Sequence, residues 1–333
     1  MVRENLARKF HPAGFEQPED KRGYEQPENE LGKRYLEWVK SFDENFDYLD
    51  EHIEKEYQRA VGLVGDLVVP LDEANALLVD DYKRPEKARK ASGLFVSAVY
   101  NKLKLDKFIF DLDTDIDFIG YRFQGLIVNN SGVGNCFGWI AKGPVVNNGK
   151  TGNGFGSGAK GHVVNNGSVG NELGRCANGI VINNGNAGNW FGQFAKNLIV
   201  NNGNAGDELG WSANGPVVNN GEAGHWFGEW VSSPVVNNGE VGGGFGFNSK
   251  GLVVAIVEPK SYYSVRGSLG SAKRILKPED CAKIPELKEY IDSIGERTRK
   301  LKNAKPEDVQ KLLERLDAEI FEKEIRRLIG DSA

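Results

Sequence analysis

Between Gly125 and Lys250 the alternation of apolar and polar positions repeats every 18 residues, seven times over, without an insertion. Two copies display the unit. Gly179 to Lys196 reads Gly-Ile-Val-Ile-Asn-Asn-Gly-Asn-Ala-Gly-Asn-Trp-Phe-Gly-Gln-Phe-Ala-Lys, and Gly215 to Ser232 reads Gly-Pro-Val-Val-Asn-Asn-Gly-Glu-Ala-Gly-His-Trp-Phe-Gly-Glu-Trp-Val-Ser. An eighth copy starts at Gly251 and fades after Val254. Apolar or small residues hold position three (Ile127, Val145, Val163 and onward), nine (Val133, Thr151, Val169), thirteen (Phe137, Phe155, Leu173) and seventeen (Ala141, Ala159, Ala177). Even spacings suit strands, whose side chains alternate faces with period two, and not the 3.6-residue stripe of a helix. Gly stands at positions ten and fourteen of every copy, and at seven in all but Ser131. That much Gly would dissolve a helix but suits corners with positive φ. The pattern predicts one coil per copy, with parallel ladders between coils and a core column of Val, Ala and Phe that is stable only as a stack. At roughly 4.8 Å per coil the rod is on the order of 35 Å long.

Position five is Asn in every copy: Asn129, Asn147, Asn165, Asn183, Asn201, Asn219 and Asn237. Alternation points it inward. A buried amide needs partners, and seven amides in register can supply them to one another as a ladder. Position six is Asn as well, and Asn before Gly is turn chemistry. Position four alternates outward and reads Val128, Val146, Val164, Ile182, Val200, Val218, Val236 and then Val254. An apolar strip of that length is too large to leave in water. Either a terminal helix lies along it, or a protein partner or second copy of the chain pairs with it.

The frame of aliphatic strand, Gly-x-Ala-Gly, x-x-aliphatic-Gly and x-x-small resembles the GXGXG repeat. That repeat builds the carboxy-terminal domain of the glutamate synthase large subunit and the corresponding solenoid of formylmethanofuran dehydrogenase. The resemblance covers the solenoid alone. It implies a right-handed, single-stranded parallel β-helix and a scaffold role without catalytic residues. Asn at position five is a departure, since the family is apolar there. A left-handed hexapeptide helix, the acyltransferase type, also has 18 residues per coil. It needs an aliphatic residue every six, and position fifteen (Trp139, Ser157, Arg175, Gln193, Trp211, Glu229, Phe247) does not comply. An ice-binding solenoid would need Thr arrays, and the repeat has Thr151 alone.

The flanks read as helical, giving a mainly β chain with α-helical segments at each end. Residues 1–31 form a polar arm with two aromatic-Glu-Gln-Pro copies, at Phe15 and Tyr24. Residues 32–106 are mostly helical. A stripe of Val39, Phe42, Phe46, Leu49, Ile53 and Ala60 predicts one helix from Gly32 to about Val61. A second helix is expected from Asp72 to Val79, then a basic linker from Lys83 to Lys90. The solenoid spans 107–257. Lys107 to Gln124 reads as a worn capping coil, with Ile109 at position three, and residues 251–257 form the final strand. In the cap, Asp111, Asp113, Asp115 and Asp117 share one strand face. A Ca²⁺ loop starting at Asp113 would need Gly and Glu where Phe118 and Gln124 stand, so the reading is a solvated acidic edge that blocks end-to-end stacking. After irregular residues from Tyr262 to Leu269, the segment 258–333 carries a helix at Glu286 to Ile294 and a long amphipathic one from Pro306 to Ile329.

Composition adds exclusions. The 333 residues carry a formal charge of −5, which gives no electrostatic case for nucleic acid. No apolar run is long enough for a membrane span, and Met1-Val-Arg-Glu-Asn opens no signal peptide. Cys136, Cys176 and Cys281 are badly spaced for a metal or a disulfide framework, which fits a reduced, cytoplasmic setting. No phosphate loop, nucleophile elbow or dinucleotide fingerprint is present, so no catalytic residue, cofactor or metal ligand is assigned. One surface column stands out. Position twelve reads Cys136, Gly154, Glu172, Trp190, Glu208, Trp226, Gly244, with Trp139, Arg175, Trp211, Glu229 and Trp230 in neighbouring columns. The first reading is a scaffold or assembly component, with helical ends and an apolar face for oligomerisation or docking to a protein. The second is a carbohydrate-binding or carbohydrate-active solenoid using Trp190, Glu208, Trp226 and Glu172. A third, from the resemblance alone, is a scaffold component of a redox complex.

Overall fold

The structure, a computed structural model, describes residues 29–43, 45–69, 73, 77, 86–111, 113–260, 274–313 and 316–330. Residues 1–28 of the amino-terminal arm, the irregular stretch at 262–269 and all but Glu73 and Leu77 of the helix expected at 72–79 lie outside the described residues, while the arm's last residues, from Glu30, are helical. The repeats wind into a parallel β-solenoid with helices at both ends. Positions three to five build a ten-stranded parallel sheet that runs from Lys107–Phe110 through the coils to Leu252–Ala255 and Arg274–Leu276. Positions eight and nine build a six-stranded one, from Lys150–Thr151 to Glu240–Val241. Register is one full copy: Val217 pairs with Ile199 and Val235, and Asn219 with Asn201 and Asn237. Positions three, nine, thirteen and seventeen line the dry interior, where Phe137, Phe155, Phe191 and Phe227 are buried.

Because every residue lies against its own copy, polar side chains stack on their own kind. The seven position-five amides are fully buried. The Nδ2 of each of the first six donates to Oδ1 of the Asn one coil further on, at 2.7–3.0 Å, and that of Asn237 donates to Val257 O. The same nitrogens also reach backbone carbonyls, as Asn147 does to Gly149 and Ser168. The position-six amides form a second ladder that donates the other way, at 2.8–3.1 Å. A third ladder runs up position eleven. Asn135, Asn153, Asn171, Asn189, Asp207 and His225 each accept the backbone N–H one coil on, at 2.7–3.0 Å. The sequence signal for it was present, since every one of those side chains carries an acceptor. It also explains Gly at position ten, whose φ is not positive: a Cβ on Gly170 would stand 2.2 Å from Asn153 Oδ1.

A solenoid has two open ends, each a row of unpaired backbone groups. At the amino end three helices close it: α1 (Glu30–Lys40), α2 (Asp50–Val64) and α3 (Glu86–Leu103). The single helix expected over 32–61 is two. Ser41 turns back on Glu37 O, and Asp43 and Asp47 accept the N–H groups of Asn45 and Leu49 in the bend. The basic linker is also corrected, because Glu86–Lys90 is the first part of α3. Residues 91–100 of α3 are buried without a break, so no amphipathic stripe announces it. It lies directly on the first coil. Ser97 Oγ donates to Phe118 O and accepts from the N–H groups of Gly120 and Tyr121, and a Cβ on Gly93 would meet Asp117 O at 2.0 Å.

That coil is one residue out of the expected frame in its strand. Phe108 pairs with Ile127 and Phe110 with Asn129, so Phe108 takes position three and Ile109 turns outward, 38% exposed. Three of its four aspartates, Asp111, Asp113 and Asp115, are exposed as a solvated edge requires, but each is tied to a neighbour and the fourth is buried. Asp111 accepts from Asn130 at the start of the position-six ladder, Asp113 accepts from Gly132 N–H, and Asp115 pairs with Arg89. Asp117, 1% exposed, starts the position-eleven ladder by accepting Asn135 N–H at 2.5 Å, and Tyr48 donates to its other oxygen.

The chain's own carboxy-terminal helices cover the position-four strip. These are α4 (Pro278–Cys281), α5 (Pro285–Arg299), α6 (Pro306–Leu313) and α7 (Ala318–Leu328). Val128, Val146, Val164, Ile182, Val200, Val218 and Val236 are at most 3% exposed and share a second core with Leu287, Ile291, Ile294, Leu313 and Phe321. The strip is therefore closed to a partner, which corrects its assignment as an interface. Burial of each Val is worth about 1.5–3 kcal/mol, so these helices are integral to the solenoid. The second hydrogens of the position-six ladder add polar ties: Asn166 to Leu301 O, Asn184 to Thr298 O, Asn202 to Thr298 Oγ1 and Asn238 to Asp292. The helix expected over 306–329 is also broken, where buried Leu316 precedes Asp317, which caps α7 by accepting from Glu319 and Ile320 N–H. No helix among the described residues is long and apolar enough to cross a membrane.

Two outcomes follow. Asn201→Leu should orphan amide groups on Asn183 and Asn219 at about 1–3 kcal/mol each, while Asn204→Ala on the exposed sheet should stay within about 0.5 kcal/mol; chemical denaturation measures both. Arg59 Nη2 lies 2.6 Å from the carboxylate of Glu56, which is 1% exposed. Burial raises the Glu56 pKa above its ordinary 4.5, and Arg59 opposes the rise. Arg59→Met should cost about 3–5 kcal/mol near neutrality. The folded state then holds the Glu56 proton more tightly than the unfolded chain, so the variant should lose stability as pH rises above 4.5.

Candidate functional site

The third side of each coil is neither sheet nor helix. Positions twelve, fourteen and sixteen all take positive φ, as in Trp190, Gly192 and Phe194 at 60°, 69° and 57°. The chain therefore zigzags, and its N–H groups bond alternately to the next coil and the one before: Trp190 to Asp207 O, Gly192 to Leu173 O, Phe194 to Trp211 O. Gly is required only at fourteen. A Cβ on Gly174 would lie 2.5 Å from the core side chain of Val181. At twelve and sixteen a Trp or Glu in the left-handed region costs on the order of 1–2 kcal/mol, and the bonds between coils hold it there.

This geometry gathers the residues that the sequence singles out. Trp190 Nε1 donates to Glu208 Oε2 at 3.0 Å, one coil on. Trp230 Nε1 donates to Glu229 Oε1 at 2.9 Å, and Trp211 also hydrogen-bonds Glu229. Phe194 meets Trp211 edge-on at 5.1 Å, and Trp226 meets Phe247 edge-on at 5.6 Å. Burial raises the Glu229 carboxyl above its ordinary range, the two indole N–H groups draw it back, and the nearby Glu208 charge adds to the rise. Trp190, Trp211, Trp226 and Trp230 belong to neither apolar core. Trp230 is 46% exposed, and the other three are half-buried.

Two residues grouped with this column play other parts. Trp139 stacks on Phe118 at 5.8 Å and meets Tyr121 edge-on, so it seats the amino-terminal cap. Glu172 pairs with Arg175 at 3.6 Å. Phe194 and Phe247 were missed from sequence, because aromatic residues at positions fifteen and sixteen look like scattered surface until the coils are stacked.

The left-handed positions yield a paired prediction. Gly174→Ala meets both strain and the Val181 side chain and should cost about 1–3 kcal/mol. Glu172→Gly, at a site where Gly154 and Gly244 already serve other coils, should be neutral or stabilising by up to about 1 kcal/mol. Thermal unfolding of the two variants checks the contrast. No family model, curated protein or solved structure matches the chain.

Proposed function

We propose that the chain is a non-catalytic β-solenoid scaffold whose working surface is the aromatic–carboxylate side of coils four to seven. The supporting observation is that four indoles stand outside both cores with their N–H groups or ring edges already fixed by neighbours. Trp at a half-buried, pre-ordered position is the residue type that anchors binding surfaces, because little rotamer freedom is lost on contact. The amino end and the valine strip are occupied by the chain's own helices, and of the sides left open this one carries the indoles. A glycosidase role is disfavoured. Glu172 and Glu208 are two coils apart, roughly 9.6 Å, at the outer limit for an inverting pair, and Glu208 is engaged by Trp190. The resemblance to the GXGXG repeat also supports a scaffold.

A photo-crosslinking residue at Gln193, beside Phe194, tests the reading in cells. It should give discrete adducts, whether with a second copy or another macromolecule, while the same group at exposed Asn204 on the six-stranded sheet should give none. Equal labelling from both sites would overturn the proposal.

A further inference from the structure

The position-twelve column alternates along the axis: Glu172, Trp190, Glu208, Trp226, one residue per coil. The bonds from Glu172 N–H to Asn189 O, Trp190 N–H to Asp207 O and Glu208 N–H to His225 O keep the column in full-copy register. Its repeat is therefore two coils, roughly 9.6 Å. An irregular protein partner has no use for such a period, but a linear polymer does. In an extended β-1,4-linked glycan each sugar is flipped relative to the last, so the same ring face recurs every second residue, and one disaccharide is close to two coil rises in length.

We infer that this side binds a neutral, extended β-1,4-linked glycan lying along the solenoid axis. The inference rests on the scaffold reading and names its ligand. Trp190 and Trp226 stack on the C–H faces of alternate sugars, where the electron-rich ring meets weakly positive hydrogens. Glu172 and Glu208 accept hydroxyl hydrogens from the intervening sugars through the oxygens that Arg175 and Trp190 leave open. Trp211 and Trp230, tied to Glu229, form the second edge of the track. The carboxylates, on a chain of net charge −5, oppose uronate or sulfated polymers. A glycan that coils, such as an α-1,4-glucan, cannot keep its sugars in step with a column that advances one residue per coil.

Affinity electrophoresis of the full chain in gels containing hydroxyethylcellulose or glucomannan tests this, beside carboxymethylcellulose and soluble starch. Retardation is expected in the first two only. Titration with cello-oligosaccharides should show the tetrasaccharide binding at least about tenfold more tightly than glucose, a gain of about 1.4 kcal/mol. Trp226→Ala should lose at least about tenfold in affinity and Asn204→Ala nothing, with circular dichroism reporting the fold of each. If Trp226→Ala misfolds, the length series on the unaltered chain decides alone. Absence of retardation in both neutral β-linked polymers, or equal retardation in the anionic one or in starch, would overturn the inference. Protein adducts from the Gln193 crosslinker without glycan binding would sink the glycan and leave the scaffold standing.

Discussion

The constraint on which everything else depends is pairing at a fixed displacement of one copy. Parallel strands in register bring each side chain against its counterpart above and below. A residue type is therefore chosen for how it stacks on itself. Val and Phe do so by filling a column. Asn does so because an amide carries both a donor and an acceptor, so a stack of amides satisfies itself in a place where water is absent. A single buried amide in this interior would be a liability of about 1–3 kcal/mol. Seven in line form a ladder without a gap.

The same constraint creates the problem that the flanking segments solve. A stack has a first and a last coil, and a strand face with a continuous valine strip has an outside. Helix α3 meets the first need with Ser97, placed to serve three backbone groups of the first coil at once. Beyond the last coil Arg274–Leu276 extends the sheet by one more parallel strand. Helix α5 and its neighbours meet the third, and Gly295 lets α5 approach until a Cβ there would stand 3.0 Å from Asn220 Nδ2. The third side of the coil is left to side chains that the fold itself does not bury.

Repetition made the solenoid legible. Period-two apolar positions within an 18-residue frame lead directly to coils, to the inward amides and to the outward valines. What could not be read was whatever lacks a period. Residues 91–100 of α3 are buried on all sides and carry no stripe, and its start is charged and polar, so residues 83–90 looked like a linker. The bend at Ser41 depends on side chains turning back on their own backbone. The register of the first coil shifts by one because Phe108 and Phe110, not Ile109, are the pair that fits the interior. The covering of the valine strip was open from sequence, since a stripe on a helix and a strip on a sheet fit one another as well as they fit a partner. The candidate surface was half visible. Its Trp and Glu column is explicit in the sequence, but the indole–carboxylate bonds that fix it needed the coils in place.

The aspartates of the first coil carry a consequence of their own. An amide column can orient in either sense, every oxygen facing one end or every oxygen facing the other, and the two arrangements differ little in energy along their length. A carboxylate has no hydrogen to give. Asp111 beneath Asn130 can only receive, so the amide above must turn its nitrogen downward, and each amide beyond is obliged to follow. One anion at the base thereby removes a two-fold ambiguity from seven side chains, and leaves the outer hydrogens of Asn166, Asn184, Asn202 and Asn238 facing the segment that they hold.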